Sequence, residues 1–431
     1  MLPLKLKPEV FKPSRRQFLL GMAVAGAGLS VSFRVPGVRA ETVAEPNPFN
    51  AYVTISPDNT VTILSAHMDM GQGAYHGIAT LVAEELEADR DQLVVVGAAG
   101  NPKLYGNLAW GGVAQGTGGS SAMFSSFDRY RKAGALARTM LVNAAARQWN
   151  VPAGEIKVEK GVLSHASGKQ ATFGELADAA AKEQVSAEIT LKPRDQWKVI
   201  GSEDFRRIDS RDKSTGQQPY TIDLKLPGML TAMVVHPPLF GAKVKSFDPV
   251  PAKAVKGVVD VVQISRGVAV VAENTWAAMK GREALTVEWD DSAAEKRGSA
   301  ELFAEYLKQA DQPGEAVAAN RGDVDSAMAK ATKTIEATYQ FPYLAHAALE
   351  PMDAVAHKTG DRLEIWGGHQ MPDLYQAVAA QIAGVKPENV TLHVMKPGGG
   401  LGRRAVTDAD IIVEAVETAK AIGWKAPVCW A

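Results

Sequence analysis

The sequence predicts an α+β fold spread over more than one domain, on three observations. Short β-branched runs ending in turn residues are interspersed with apolar residues at helical spacing. A charged, irregular stretch over 192–216 separates the opening elements from a middle that reads mainly as strand. Beyond an N-terminal leader, about 390 residues remain, more than one ordinary domain.

The leader comes first. Lys5, Lys7 and Lys12 precede Ser14-Arg15-Arg16-Gln17-Phe18-Leu19, an apolar run reaches about Phe33, and Val38-Arg39-Ala40 makes a small-residue exit. This pattern predicts a twin-arginine export signal over residues 1–40, a mature start at Glu41 and a periplasmic destination for cargo exported already folded. The run is glycine-rich and short for a bilayer, which takes about 20 apolar residues. An uncleaved anchor is the alternative.

Residues 51–55 and 60–64 are β-branched runs around the turn Ser56-Pro57-Asp58-Asn59, which predicts a hairpin. Ile78, Leu81, Val82 and Leu86 predict the next helix, and residues 93–96 a strand. A long helix follows, with Met123, Phe127, Tyr130, Ala137, Met140 and Leu141 expected inward, then Thr172 and Glu175 as a capping box. Past the charged stretch, strands are expected over 229–235, 255–264, 268–272 and 285–289, with one helix over 275–284. Residues 291–325 read as helical or linking. A last unit opens near Thr332, with strands at 363–366 and 390–395. One helix there is stopped by Gly384, and another carries Ile411, Ile412, Ala415, Val416 and Ala419 on one face. Only about four residues follow as the next strand of that βαβ unit, so the domain is expected to break off incomplete.

Composition narrows the chemistry. Forty-seven basic and 48 acidic residues give a net charge of −1, with no like-charged block to suggest nucleic acid as a partner. The single cysteine, Cys429, cannot form an internal disulfide or hold an iron–sulfur cluster. Any onward electron carrier therefore belongs to another subunit. The eight histidines show no zinc spacing, and no protein-ligated metal is expected.

Three glycine loops share one logic: close backbone approach followed by a helix N-terminus or polar side chain, which suits a phosphate or oxyanion. They are Gly71-Gln72-Gly73, Gly118-Gly119-Ser120-Ser121 and Gly399-Gly400-Leu401-Gly402, the last followed by Arg403 and Arg404 as candidate phosphate ligands. Singly, each can be an ordinary turn, and none matches the dinucleotide or P-loop pattern. Together they favour a large anionic cofactor. His346 and Glu350, four apart among apolar residues, are either a core histidine satisfied by a carboxylate or one wall of a substrate pocket. The charged run from Arg194 to Lys213 reads as solvated linker rather than docking patch.

These landmarks, in this order, resemble the large, molybdopterin-binding subunit of the xanthine dehydrogenase family, in the branch of isoquinoline 1-oxidoreductase beta-subunits and periplasmic aldehyde dehydrogenases. The likeness is carried by Met70-Gly71-Gln72-Gly73, Ala83-Glu84-Glu85-Leu86, Gln115 to Ser121, Leu226 to Leu230, Tyr343 to His346, Leu349-Glu350-Pro351 and Pro397 to Arg404. It implies a multi-domain molybdenum-hydroxylase large-subunit fold: an N-terminal molybdopterin-binding segment over 41–205, an α/β hammerhead domain over 206–295, a linker over 296–330 and an incomplete molybdopterin-binding domain over 331–431. It also implies molybdopterin with molybdenum, in cytosine dinucleotide form, and oxidation of an N-heteroaromatic compound or aldehyde with oxygen from water. Electrons would leave through a small [2Fe-2S] subunit towards a cytochrome c. The first two loops would contact the pterin or its phosphates, and Gly399 to Gly402 would pass close to the metal. Two departures stand out. Leu401 replaces the family's usual phenylalanine, and the family's general-base glutamate is expected beyond Ala431, so no catalytic residue is assigned and the fragment alone is expected to be inactive. Rival readings are a non-catalytic periplasmic scaffold or inactive gene fragment of the same fold, and an unrelated nucleotide-binding enzyme.

Overall fold

A computed structural model describes residues 51–184 and 189–431. The expected signal over 1–40 lies outside them. The chain folds into two compact units, one formed by the described residues up to 232 together with 348–431, the other by 233–347. The expected boundary at 205/206 thus lies inside the first unit, and residues 331–347 belong to the second.

The first unit opens on the expected hairpin. β1 (Val53–Ile55) pairs antiparallel with β2 (Val61–Ser65), and the turn closes through Asn59 N–H donating to the Ser56 carbonyl at 2.9 Å. α1 (Ala74–Leu86) then crosses to β3 (Leu93–Gly97), which joins β2 in parallel. The 28-residue α2 (Ala122–Trp149) packs along α1, burying Tyr130, Met140 and Leu141 in a shared core with Ile55, Ile63, Ile78 and Leu86. Tyr130 is wholly buried because its hydroxyl has work on β2, donating to Leu64 O and accepting from Ala66 N–H. Met123 and Phe127 are not inward as expected: both are over one-third exposed, since the first turns of α2 run past the core edge. A small meander, β4 (Lys157–Glu159), β5 (Val162–Ser164) and β6 (Gln170–Thr172), leads into α3 (Phe173–Ala180), capped by Thr172 and Glu175 as the sequence requires.

The charged run is a clasp rather than a solvated linker. Glu84 and Glu85 of α1 are fully buried, and each needs partners to offset lost hydration. Glu84 accepts the backbone N–H groups of Lys198, Val199 and Ile200 at 2.7–3.0 Å. Glu85 accepts Arg131 at 2.6 Å and the Lys192 N–H, while Lys192 Nζ reaches Glu87 at 2.7 Å. Two adjacent acids on one helix therefore dictate where 192–200 must run.

β7 (Leu230–Val235) leads from the first unit into the second. There β8 (Lys243–Asp248) pairs antiparallel with β11 (Thr286–Asp290), and β9 (Val258–Ile264) with β10 (Gly267–Ala272). α4 (Thr275–Ala284), capped by Asn274, lies on β10 with Ala277 and Ala278 against Ala272. Sequence reading finds all of these except β8. α5 (Ser299–Ala310) follows. Residues 332–347 form no helix or strand, leaving Tyr339, Phe341 and Leu344 exposed.

Back in the first unit, β12 (Ala354–Thr359) pairs antiparallel with β13 (Arg362–Gly367) and with β15 (Val428–Trp430). β14 (Val390–Val394) adds in parallel to β13, and β15 in parallel to Leu230–Ala232 of β7. α6 (Pro372–Ala383) and α7 (Asp410–Ala421) cover this sheet, with Gly384 taking the left-handed conformation that ends α6. β15 already closes over β12, so α7's stripe of Ile411, Ile412, Ala415 and Val416 is fully buried. Among the described residues no helix is long and apolar enough to cross a membrane.

Removing one partner of a buried ion pair strands the other, so Arg131→Ala should lower unfolding free energy by about 3–5 kcal/mol. Urea denaturation followed by circular dichroism measures it, and a loss under about 1 kcal/mol would show the clasp to be marginal.

Candidate functional site

The three glycine loops come from distant positions, yet the first unit brings them together. The first ends β2's excursion, the second precedes α2, and the third follows β14. Their junction is residues 368–370, just beyond β13. Thr117 N–H donates to Gln370 O at 2.9 Å, and Gln370 Nε2 returns a bond to Thr117 O at 2.8 Å. The Thr117 hydroxyl in turn accepts Met68 N–H at 2.8 Å. A side chain on Gly400 would meet Met70 Sδ at 2.6 Å and Gln370 Oε1 at 3.0 Å, so the third loop sits directly against both. Thr117 and Gln370 are thus the stitches between loops one, two and three.

Each loop has its own internal support. Gly71 and Gly73 take φ of +108° and +96°, values that favour glycine, and Gly73 caps α1. Buried Asp69 holds the bend by accepting from Gly71 N–H at 2.9 Å and Tyr75 N–H at 3.0 Å. Gln72 is exposed, but its amide closes its own loop: Nε2 donates to Met68 O, and Oε1 accepts Met70 N–H. In the second loop Gly119 and Ser120 are exposed with positive φ, and Gly118 is half-buried. Ser121, expected to offer a hydroxyl outward, is instead buried. Its Oγ donates to Gly118 O and accepts from Asn107 Nδ2, both at 2.7 Å, which closes the turn before α2. In the third, Gly399 and Gly402 have φ of +106° and +95°, while Leu401 is 69% exposed.

Arg403 and Arg404 do not stand ready for phosphate. Arg403 forms a two-pronged pair with Asp410 at the start of α7, at 2.9 Å through Nη1. Arg404 is completely buried. It donates to Gly399 O at 3.0 Å, to Glu350 Oε2 at 3.1 Å and to Asp353 Oδ1 at 3.4 Å. Glu350 also accepts Gly398 N–H at 2.7 Å, so its carboxylate locks the third loop rather than facing a pocket. His346 is exposed and belongs to the second unit, while the Glu350 carboxylate, in the first, accepts from Ile222 N–H, Gly398 N–H and Arg404.

One cation faces two acids in this cluster, and burial followed by the Glu350 charge pushes the Asp353 carboxyl up to about 7. His67 and His369, near Thr117 and Gly367, are held neutral: burial lowers His67 to about 4 and His369 to about 3. Gln370 Oε1 is the telling atom. It is buried beside Gly400 and has no hydrogen-bond partner among the described residues. Thr117 falls within the Gln115 to Ser121 motif but the motif assigns it no role, and nothing marks Gln370, because their pairing spans 253 residues.

These observations test the fit of an anionic cofactor. A buried amide oxygen, unpaired among the described residues, lies beside Gly400, where a Cβ would crowd it at 3.0 Å, and exposed glycines lie on the neighbouring loops. The residues present suit a bulky polar group held by backbone and amide contacts. Among the described residues no cluster of histidine, cysteine or acidic side chains could hold a metal directly.

Comparison with known proteins agrees. Residues 7–223 match one molybdopterin cofactor-binding domain model, and residues 308–431 match another. The chain is 33% identical to the isoquinoline 1-oxidoreductase subunit beta of Brevundimonas diminuta, over 98% of this chain and 60% of that protein. It is 30% identical to a membrane-bound aldehyde dehydrogenase [pyrroloquinoline-quinone] of Gluconacetobacter polyoxogenes, over 96% of this chain and 54% of that one. The chain therefore spans a little over half the length of these relatives. Among solved structures, quinoline 2-oxidoreductase from Pseudomonas putida 86 superposes over 52% of this chain and 33% of its own, at a TM-score of 0.40 and 20% identity.

Two predictions follow from the geometry. A methyl on Gly398 would lie 2.5 Å from Glu350 Cβ, so Gly398→Ala should destabilise by about 1–3 kcal/mol. Gly400→Ala should cost less, since the end of Met70 can swing aside; chemical denaturation of both variants checks the order. For pH, His369 has a folded pKa below its unfolded value, so its contribution is present above about 6.5 and is lost as pH falls towards 3. Asp353, with a raised pKa, acts in the opposite sense between about 4 and 7. Relative to His369→Gln, the unmodified chain should therefore lose stability between pH 6.5 and 4.5, measured as urea unfolding free energy. A parallel pH response in the two proteins would count against a buried neutral imidazole.

Proposed function

We propose, on the premise that this chain belongs to the molybdopterin cofactor-binding family, that it forms part of a molybdenum hydroxylase large subunit oxidising an N-heteroaromatic compound or an aldehyde. The observation that carries the reading is the convergence of three glycine loops on one buried, unpaired amide oxygen. When bound, molybdopterin supplies the two-electron redox centre at which oxygen from water is transferred to the substrate.

The chain's own share is binding and orientation. Gly73, Gly118, Gly119 and Ser120 present backbone amides on bends of which Asp69 fixes the first through the Gly71 N–H, Gly399 to Gly402 let the backbone approach closely, and Gln370 offers its free oxygen. Arg404 and Glu350 keep the third loop in place and touch no ligand themselves. The general base and much of the substrate pocket are assigned to polypeptide outside these 431 residues. Electron transfer out of the site is assigned to a small [2Fe-2S] subunit, with a cytochrome c beyond it, and the cofactor to the cytosine dinucleotide form. The single cysteine here supports that division of labour. Export by the twin-arginine route belongs to the same proposal, because that route carries folded, cofactor-loaded proteins.

The decisive preparation is the complete complex, co-expressed with its iron–sulfur subunit. Metal and nucleotide analysis should find stoichiometric molybdenum and a cytosine nucleotide; absence of both sinks the reading. For localisation, replacing Arg15 and Arg16 with lysine should leave the precursor in the cytoplasm. Unchanged recovery in the periplasmic fraction would rule out twin-arginine export.

A further inference from the structure

Residues 332–347, in the second unit, carry the pattern of a strand without a ladder. Ile335, Ala337, Tyr339, Phe341 and Tyr343 alternate with Thr334, Glu336, Thr338, Gln340 and Pro342. A period of two sets the first group on one face of an extended chain and the second on the other. Aromatic and β-branched residues dominate the first face and threonines the second, which is the make-up of a pleated, half-buried surface. Lys333 and Glu336 are the only formal charges, too few for a solvated linker.

The backbone already has the shape that this pattern asks for. It runs over 333–346 without a turn or bend. Among the described residues, the N–H and C=O groups of 332–347 bond to no other backbone group. The side chains of the apolar face are open as well: Ile335 84%, Tyr339 78%, Phe341 79% and Tyr343 70% exposed. One end is tethered, because the Tyr343 hydroxyl bonds to that of Tyr306 on α5, whose ring stands edge-on to Phe303 at 6.4 Å. Chains that meet only water seldom show a contiguous apolar row of this kind, and an unpaired extended edge is a template for another strand.

Length points to the occupant. This chain covers 60% of one relative and 54% of the other, so a large part of each has no counterpart here. We propose that residues 335–341 are a β-strand of the intact large subunit, completed by a strand from the polypeptide outside these 431 residues, with Ile335, Tyr339 and Phe341 packed beneath it. Backbone hydrogen bonds would hold the added strand and its apolar side chains would set the register. Pro342 has no N–H to donate and marks the end of the ladder. The proposal rests on the large-subunit reading above, but not on the cofactor.

Amide hydrogen exchange over 335–341 tests it in three preparations: the 431-residue chain at two concentrations, the complete large subunit alone, and that subunit with its iron–sulfur partner. Exchange should be fast in the first at both concentrations, roughly a hundredfold slower in the second, and unchanged from there in the third. Within the complete subunit, Tyr339→Gln should lose most of this protection and Thr338→Gln, on the other face, should keep it. In the 431-residue chain both variants should leave the urea midpoint unmoved, since neither side chain is packed there. Fast exchange in all three preparations overturns the proposal. Protection already present in the 431-residue chain assigns the partner to the chain itself, or to a second copy where it rises with concentration, and overturns it too. Protection that appears only with the iron–sulfur subunit does the same, as does equal loss in the two variants. Molybdenum is measured on the same samples: protection without molybdenum leaves the strand standing and counts against the cofactor reading, and molybdenum without protection does the reverse.

Discussion

The site depends on one buried cation. Arg404 has no exposed surface, and an unpaired guanidinium in such a place would destabilise the fold by several kcal/mol. It is satisfied by Glu350, Asp353, Gly399 O and Pro351 O, which draws the third glycine loop onto the segment leading into β12. Its own carbonyl accepts Gln370 N–H at 3.1 Å, and Gln370 then grips Thr117 through two bonds. Thr117 holds Met68, three residues before the first loop's Gly71. A single connected run of hydrogen bonds therefore sets all three loops, and packing alone has little say in their spacing.

Within that frame the groups left unsatisfied are concentrated where a ligand is expected. Gln370 Oε1 is one of several buried polar atoms near the loops without a partner among the described residues, with His67 Nε2, His369 Nε2 and Asp353 Oδ2, and Lys396 has no carboxylate at ion-pair distance. Both lie beside glycine positions whose backbone is open. Stable interiors avoid such groups, and natural proteins tolerate them mainly at functional sites. The same logic explains why Glu84 and Glu85 are unlike Gln370: they are equally buried but fully bonded, so they serve as structural clasps for residues 192–200.

What the sequence made legible was local. The hairpin at Ser56–Asn59, the Thr172–Glu175 cap, the α4 boundaries and the Gly384 stop all follow from residue types within a few positions of one another. The glycine loops were legible as loops, and their shared character pointed to one ligand. The roles of individual polar residues were not, because they depend on partners far away in sequence. Ser121 reads as a free hydroxyl until Asn107 and Gly118 claim it; Arg403 and Arg404 read as phosphate ligands until Asp410, Glu350 and Asp353 are in place. The charged run from Arg194 to Lys213 looked solvated because its acceptors, Glu84, Glu87 and Asp69, sit over a hundred residues earlier. β8, with its mostly exposed face, and β12, a short run before a turn, lacked the alternation that betrays a strand.

Amide hydrogen exchange on the complete complex, with and without its cofactor, addresses the shared site most directly. The account predicts that amides at 71–73, 118–120 and 399–402 slow together when the cofactor is present, while those of β8 and β11 do not change. Slowing confined to one of the three loops would contradict a site built from all of them.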